Sequence, residues 1–233
     1  MLAMKSDLWA SLQALLEQQG FIRHEEGVSD PSVAWFVHQS SPAVSTHIRF
    51  VFKKKLRVAT AHLGWRHEPT HAFCLAALKF CWPAGFAWLS DAGVVRAPCL
   101  LLFNLANHMA WPLAGMPIGG PSVISGSAET RFGEVLSQAQ WTDMDAETLL
   151  NRYVNDQNPF GWRDGNAALR LAHIAGLLNN LKGDRLVLDQ CAADHMAVIQ
   201  SDMFNLGSAS QWIDCLRSGI VSDNPFETQP RSG

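Results

Sequence analysis

Three segments near the start of the chain are predicted as β-strands: the first is short and aromatic, the second alternates clearly between hydrophobic and polar residues, and the third returns after a turn. They are residues 33–38, 44–52 and 56–64. In the second segment Phe50 falls on an apolar face and Arg49 on the opposite, polar face. A lysine-rich turn separates the last two segments. The pattern predicts an antiparallel hairpin or meander, with one face for helices to cover.

Elsewhere the hydrophobic residues recur about every 3.6 positions, which predicts helices. Asp145 is predicted to cap one helix, and Ser208 with Gln211 forms a capping box for another. Residues 86–89 are the exception in this part of the chain and read as a short strand. The predicted helices are residues 6–19, 69–82, a segment after Ser127, and residues 146–155, 166–181, 184–199 and 209–217.

Residues 97–128 contain no Lys, Arg, Asp or Glu. A membrane span is not expected, because Asn, His, Pro and paired Gly residues interrupt the run. Its first half, residues 99–111, is predicted as a buried helix, and its second half as a loop between subdomains. The fold class is therefore α+β: an N-terminal antiparallel sheet of three to five strands packed with helices, then a mainly α-helical C-terminal half. The predicted subdomains are residues 1–118 and 127–221, with one continuous domain as the alternative.

Composition and charge narrow the class of protein. Apolar residues make up 48% of the 233 residues and charged residues 17%, which is typical of a folded chain. The net charge of −3 gives no general attraction for nucleic acid or membranes. The charge is uneven, since residues 101–233 carry 14 acidic and 8 basic side chains. That half could present an acidic face to a basic partner, or have an ordinary solvated surface.

The cysteines predict a reducing compartment. Their number is odd, no two have C-x-x-C spacing, and most lie in apolar helical contexts, so all five are expected to be reduced and buried. The N-terminus does not resemble a signal peptide, because Asp7 and Gln13 interrupt any apolar run. We therefore expect a cytoplasmic protein without a membrane partner. The cysteines are Cys74, Cys81, Cys99, Cys191 and Cys215.

The most specific motif is His67-Glu68-Pro69-Thr70-His71, which matches H-E-x-x-H. In zinc hydrolases the two histidines bind the metal from one helical face, and the glutamate acts as general base. Pro69 disfavours helical geometry before it, so His67 and Glu68 are expected outside the helix, at a strand-to-helix corner. We expect no catalytic residue, metal or other cofactor here; a hydrolase using His67, His71 and Glu68 stays an alternative.

Basic residues cluster around the predicted hairpin. With Trp65 nearby, they resemble a small site for phosphate or another acid, and a small-ligand or nucleic-acid binder is a second alternative. The other interpretation is a solvated turn whose lysines protect a sheet edge. This basic patch comprises Arg49, Lys53, Lys54, Lys55 and Arg57.

A marked loop enters the long helix predicted at residues 166–181. Trp162 and Arg163 are residue types enriched in protein interfaces, although the indole could equally fill the space between helices. Acidic residues nearby would form the rim. The predicted partner-binding residues are Trp162, Arg163, Asp143, Asp145, Glu147 and Asp156.

The order of elements in residues 6–82, with its Phe-Lys-Lys-Lys hairpin, resembles small bacterial domains of unknown function. The layout as a whole is similar to immunity proteins of polymorphic-toxin and type VI secretion systems. That resemblance implies a compact, cytosolic, non-catalytic protein that binds and blocks a cognate toxin. It assigns a function of toxin–antitoxin type and a protein partner, but no individual residue.

Overall fold

The computed structural model describes residues 13–24, 33–53, 58–104, 111–112, 144–155, 162, 166–203 and 207–220. The chain divides into two compact units, each built from two stretches of sequence. Unit 1 contains residues 1–65 and 102–144, and unit 2 contains residues 66–101 and 145–233. The linear division predicted above differs, because residues 66–101 belong with the C-terminal helices.

Unit 1 contains the predicted antiparallel sheet. Each strand pairs with the next along the chain, and Trp35 lies opposite Arg49 across the central pair. The α+β class and the N-terminal sheet are confirmed, with a short first strand that the alternation did not predict. The strands are β1 (Ile22–His24), β2 (Val33–Gln39), β3 (Val44–Lys53) and β4 (Val58–His67).

Two further short strands pair with β4, where a helix over residues 99–111 was predicted. They are β5 (Phe103–Asn104) and β6 (Trp111–Pro112). The helix prediction is wrong at these positions. An uncharged, apolar run suits a strand as well as a helix, and length and charge alone do not separate the two.

The alternation predicted for β3 produces a buried face. Ile48 and Phe50 are fully buried, and the Phe50 ring meets the Phe36 ring edge-on at 6.0 Å. A helical segment over residues 13–18 (α1) precedes the sheet. The turn that follows contains Gly20, whose φ of +81° lies in the left-handed region that favours glycine.

Unit 2 is built around one central helix. Every residue from Ala167 to Leu178 is buried, because this helix, α5 (Ala167–Leu181), packs against five other helices. At Gly176 an ideal Cβ would lie 3.0 Å from Thr70 Cγ2, so a small residue lets α5 and α2 (Glu68–Cys81) approach closely. The helices are α2 (Glu68–Cys81), α3 (Pro83–Asp91), α4 (Ala146–Val154), α5 (Ala167–Leu181), α6 (Leu186–Asp194), α7 (Met196–Met203) and α8 (Ala209–Gly219).

The strand predicted at residues 86–89 is wrong, since this segment lies within α3. Pro83 starts the helix, and a Cβ at Gly85 would collide with the Trp82 ring at 2.2 Å. Close packing on an indole explains the glycine. A four-residue apolar run carries too little periodicity to distinguish the two structures.

Two helix boundaries also differ from prediction. The helix predicted over residues 184–199 is divided at His195 into α6 and α7. The Ser208 side chain makes no capping bond, and the Ala209 amide donates to Gln200 Oε1 at 3.1 Å instead. By contrast, Asp145 caps α4 as predicted, accepting from the Thr148 amide at 2.7 Å. The helix predicted after Ser127 lies outside the described residues.

The cysteine prediction holds for three residues and fails for two. Cys74, Cys99 and Cys191 are free and buried. Cys81 and Cys215 form a disulfide, with their Cα atoms 5.9 Å apart. The pair is 134 residues apart in sequence, and no spacing rule applies at that distance.

Among the described residues, no single helix is both long and apolar enough to cross a membrane. Helices α2 and α3 together have the required length and composition, with a bend of 116° at the break between them.

Candidate functional site

The H-E-x-x-H sequence forms the corner between β4 and α2. His67 has extended backbone geometry before the helix, and its Nδ1 lies 2.8 Å from Thr70 Oγ1. Glu68 is exposed and pairs with Arg66, Nε to Oε1, at 2.7 Å. The predicted corner is confirmed, although Glu68 begins the helix rather than preceding it. Within the described part of the chain, no three His, Cys, Asp or Glu side chains are placed to hold a metal ion.

Two buried histidines lie behind this corner, on α2 and α5. Burial lowers the pKa of His71 to about 4, and the positive charge of Arg66 adds to the effect. Burial also lowers the pKa of His173 to about 4, aided by His71, although a bond between His173 Nδ1 and the Leu169 carbonyl acts in the opposite direction. Both rings are therefore neutral at neutral pH and belong to the core.

Burial keeps the Cys74 and Cys99 thiols and the Tyr153 phenol of unit 2 in their protonated forms. Burial raises the pKa of Cys99 to about 12, and it raises the pKa values of Cys74 and Tyr153 well above their ordinary range. The Cys99 thiol donates to the Leu101 carbonyl at 3.3 Å. A thiolate is the nucleophilic form of cysteine, so Cys74 and Cys99 are poor nucleophiles.

Arg170 is fully buried and satisfies the C-terminal end of α4. Its guanidinium donates to the carbonyl of Tyr153 at 2.8 Å and to that of Asn155 at 3.0 Å. The last carbonyls of a helix have no partner within the helix and carry partial negative charge. A cation on α5 thus closes α4.

Trp162 completes this arrangement, which we call the arginine clamp: Arg170, Trp162 and the end of α4. The Arg170 guanidinium lies 4.7 Å from the centre of the indole, and the His195 ring stacks on the indole at 4.2 Å. The indole thus contacts groups of its own chain, as the packing interpretation of Trp162 expects. Whether Trp162 also binds a partner stays a prediction. Arg163 lies outside the described residues.

The acidic face predicted for the C-terminal half is described at two of its four positions. Asp145 and Glu147 are exposed at the start of α4. Hydrogen bonds from Thr148 lower the pKa of Asp145 and keep it charged. Asp143 and Asp156 lie outside the described residues.

The basic patch is described only at Arg49. Its guanidinium lies over the Trp35 ring, 5.8 Å from the ring centre. Lys53 ends β3, but its side chain is outside the described part, as are Lys54, Lys55 and Arg57. The patch as a whole therefore stays a prediction.

A Ser–His pair on the sheet has the geometry of a nucleophile and base but the opposite proton arrangement. Ser45 Oγ lies 2.8 Å from His47 Nε2, while Trp35 Nε1 donates to His47 Nδ1 at 3.1 Å. An indole nitrogen can only donate, so a neutral His47 carries its proton on Nε2 and donates it to Ser45. This histidine cannot accept the serine proton in that state, and the network fixes the sheet face instead.

Two aromatic side chains, on consecutive helices of unit 2, are exposed, which the sequence did not predict. Phe80, near the end of α2, is 47% exposed, and Trp88, on α3, is 56% exposed. We call this pair the α2–α3 surface. Trp88 was predicted in a short strand over residues 86–89, and no exposed aromatic residue was predicted in the helix that contains Phe80. Large aromatic side chains of this kind are common at the centres of protein interfaces.

The chain matches no protein-family model, no curated protein and no solved structure. The functional proposal therefore rests on the residues of this chain.

Proposed function

We propose that this chain is a non-catalytic binding protein that acts in the cytoplasm as an immunity protein, binding a cognate bacterial toxin and blocking it. The observation that carries the proposal is the α2–α3 surface. Phe80 and Trp88 keep about half of their area in solvent, at 47% and 56%. Burying that area against another protein removes apolar surface from water, which favours association.

Charge supports a basic partner. The exposed acids Asp145 and Glu147 belong to the half of the chain that carries 14 acidic and 8 basic side chains. Complementary charge accelerates encounter and improves specificity more than it adds affinity. We therefore expect the aromatic surface to supply most of the binding energy, and the acidic residues to supply the orientation.

The groups that would suit catalysis instead contribute to the fold, which supports a binding role. His67 bonds to Thr70 at the corner, and Glu68 pairs with Arg66. Ser45 Oγ accepts a hydrogen bond from His47 Nε2–H, so this histidine is not placed to take the serine proton. The thiols of Cys74, Cys99 and Cys191 fit a cytoplasmic placement, whereas the Cys81–Cys215 disulfide is a bond that is rare in that compartment.

The test is affinity purification of the tagged full-length chain from its native cells, followed by cross-linking and measurement of stoichiometry. We expect one basic protein partner at a ratio near 1:1. The double variant Phe80→Ser/Trp88→Ser should lose about 100-fold in affinity, since each anchor contributes about 1–2 kcal/mol. Circular dichroism should show that the variant stays folded.

Leu186→Ser is the matched control. Leu186 is an apolar side chain on α6 that is 69% exposed, and its loss should leave the affinity within about twofold. The proposal is wrong if no protein co-purifies at stoichiometric ratio, or if the Phe80→Ser/Trp88→Ser variant binds the partner as tightly as the unmodified chain.

A further inference from the structure

A disulfide joins the last residue of α2, Cys81, to the middle of α8, at Cys215. Both residues are half-buried, whereas the three free cysteines are buried. We propose that this bond is redox-responsive and controls how tightly α8 is held in unit 2. The proposal is independent of the binding function above.

Accessibility makes the response selective. A reductant in solution can approach the half-buried Cys81–Cys215 pair. Cys74 and Cys99 are fully buried and stay protonated, so neither takes part in thiol exchange with the pair. The chain therefore has one pair that can cycle between two states, without competing disulfides from those two thiols.

Helix α8 has other attachments that keep it in place when the bond opens. The Trp212 indole donates to the Ala168 carbonyl at 3.2 Å and lies 5.8 Å from the Trp82 ring. Arg217 pairs with Asp189 on α6 at 2.9 Å. A chain of this size also buries a core without staples. Reduction should thus loosen α8 without unfolding the chain, as a reversible response requires.

The chemistry needs an external thiol. A thiolate of glutathione or of a cellular dithiol attacks one sulfur, breaking the Cys81–Cys215 bond and forming a mixed disulfide. A second thiol resolves the mixed disulfide. The chain gains two protons and two electrons as two thiols, and the reductant leaves as its own disulfide. An oxidised disulfide of the same class reverses the step.

Opening removes the constraint on a 134-residue separation, so the unfolded chain gains conformational freedom. The midpoint of thermal unfolding should fall by about 10 °C on reduction. Amide hydrogen exchange within residues 209–219 should become about tenfold faster, because α8 then opens locally at lower cost. Exchange in the central helix α5 should change least.

The experiment begins with thiol counting on the full-length protein. Alkylation after denaturation without reductant should label three cysteines, and after dithiothreitol five. The protein is then equilibrated in glutathione buffers from oxidising to cytosolic composition, and the open fraction, unfolding midpoint and exchange of α8 are measured. We expect the bond to open in the cytosolic buffer and to reform in the oxidising one.

Variants separate the bond from general effects of reductant. The Cys81→Ser/Cys215→Ser variant should have the unfolding midpoint and α8 exchange rate of the reduced protein, and dithiothreitol should not change them. The Cys191→Ala variant should respond to dithiothreitol as the unmodified chain does. If the double variant does not fold, the reduced unmodified protein supplies the same comparison. The proposal is overturned if five cysteines are labelled without reductant, if the bond stays closed in the cytosolic buffer, or if α8 exchanges equally in both states.

Discussion

Two helices of unit 2 are fixed at their C-terminal ends by opposite means. The end of α4 is closed by the arginine clamp, in which a fully buried guanidinium donates to helix-end carbonyls. The end of α2 is closed by the half-buried disulfide from Cys81 to Cys215. The first device depends on the exclusion of water, and the second on a covalent bond that solvent can reach.

The two contacts differ in how they can be opened. A buried cation is costly to desolvate, so losing the hydrogen bonds of Arg170 would leave an uncompensated charge in the arginine clamp. A disulfide between two helices that also pack together can open while the packing persists. Four predictions about these helices follow, ordered by the effect expected at a single residue, from the largest to the smallest.

Arg170→Met should lower the free energy of unfolding by about 3–4 kcal/mol. The change leaves the buried Tyr153 carbonyl and the part-buried Asn155 carbonyl without their donor, and an unsatisfied buried group costs about 1–3 kcal/mol. Urea denaturation measures the loss. Arg217→Met is the control, since that half-exposed guanidinium pairs with Asp189 at 2.9 Å and should contribute less than about 1 kcal/mol. Equal losses in both variants would remove the distinction between a buried and a surface arginine.

Acid should lower the free energy of unfolding of unit 2, through the buried side chains of His71 and His173. Their folded-state pKa values are lowered from 6.5 to about 4, so the unfolded chain binds more protons in that range. Stability is fully present above pH 6.5 and is lost as the pH falls towards 4, by up to about 1.4 kcal/mol per pH unit for each ring.

Unfolding free energies measured at pH values from 7 to 4 test this expectation. His173→Gln removes one of the two titrating rings and should make the decline shallower by about half. A decline of unchanged steepness in His173→Gln would show that other groups dominate the acid response.

The N-terminal end of α4 should matter less than its C-terminal end. Asp145→Ala removes the acceptor for the Thr148 amide at 2.7 Å and should cost about 1 kcal/mol at pH 7. Glu147→Ala, also exposed in the first turn, should cost only a few tenths of a kcal/mol. Thermal unfolding of the two variants gives the comparison, and a larger cost for Glu147→Ala would contradict it.

The smallest effect is expected at the start of α2. Glu68→Gln breaks the ion pair with Arg66. Because the Glu68 side chain is 65% exposed and that of Arg66 is 28% exposed, the change should lower the free energy of unfolding by less than about 1 kcal/mol. Glu68→Gln also tests the alternative function, a zinc hydrolase, because Glu68 would act as its general base. Any hydrolytic activity abolished by Glu68→Gln, together with one bound zinc per chain, would support that alternative.

Local patterns predicted much of the fold. The alternation in β3 placed Ile48 and Phe50 on the buried face, and Pro69 indicated the corner between β4 and α2. Asp145 predicted the start of α4, because an N-cap hydrogen bond joins residues that are close in sequence. Such signals are read correctly because the interacting residues lie within a few positions of each other.

The features that no local pattern predicts depend on distant residues. The Cys81–Cys215 disulfide and the joining of residues 66–101 to the C-terminal helices are fixed only when the chain folds. The role of Arg170 was not predicted, because no residue near it in the sequence indicates that it contacts the end of α4. An arginine within an otherwise apolar helix is the one available signal, because a buried cation requires a partner. The α2–α3 surface was missed for the same reason, as exposure depends on what the rest of the chain covers.

The most direct test of the binding function is a growth assay with the co-purified partner. Its gene is expressed alone, with the unmodified chain, and with the Phe80→Ser/Trp88→Ser variant. We predict growth arrest by the partner alone, rescue by the unmodified chain and no rescue by the variant. A partner that is harmless when expressed alone, or a variant that rescues growth equally well, would contradict the proposal that this chain blocks a toxin through its α2–α3 surface.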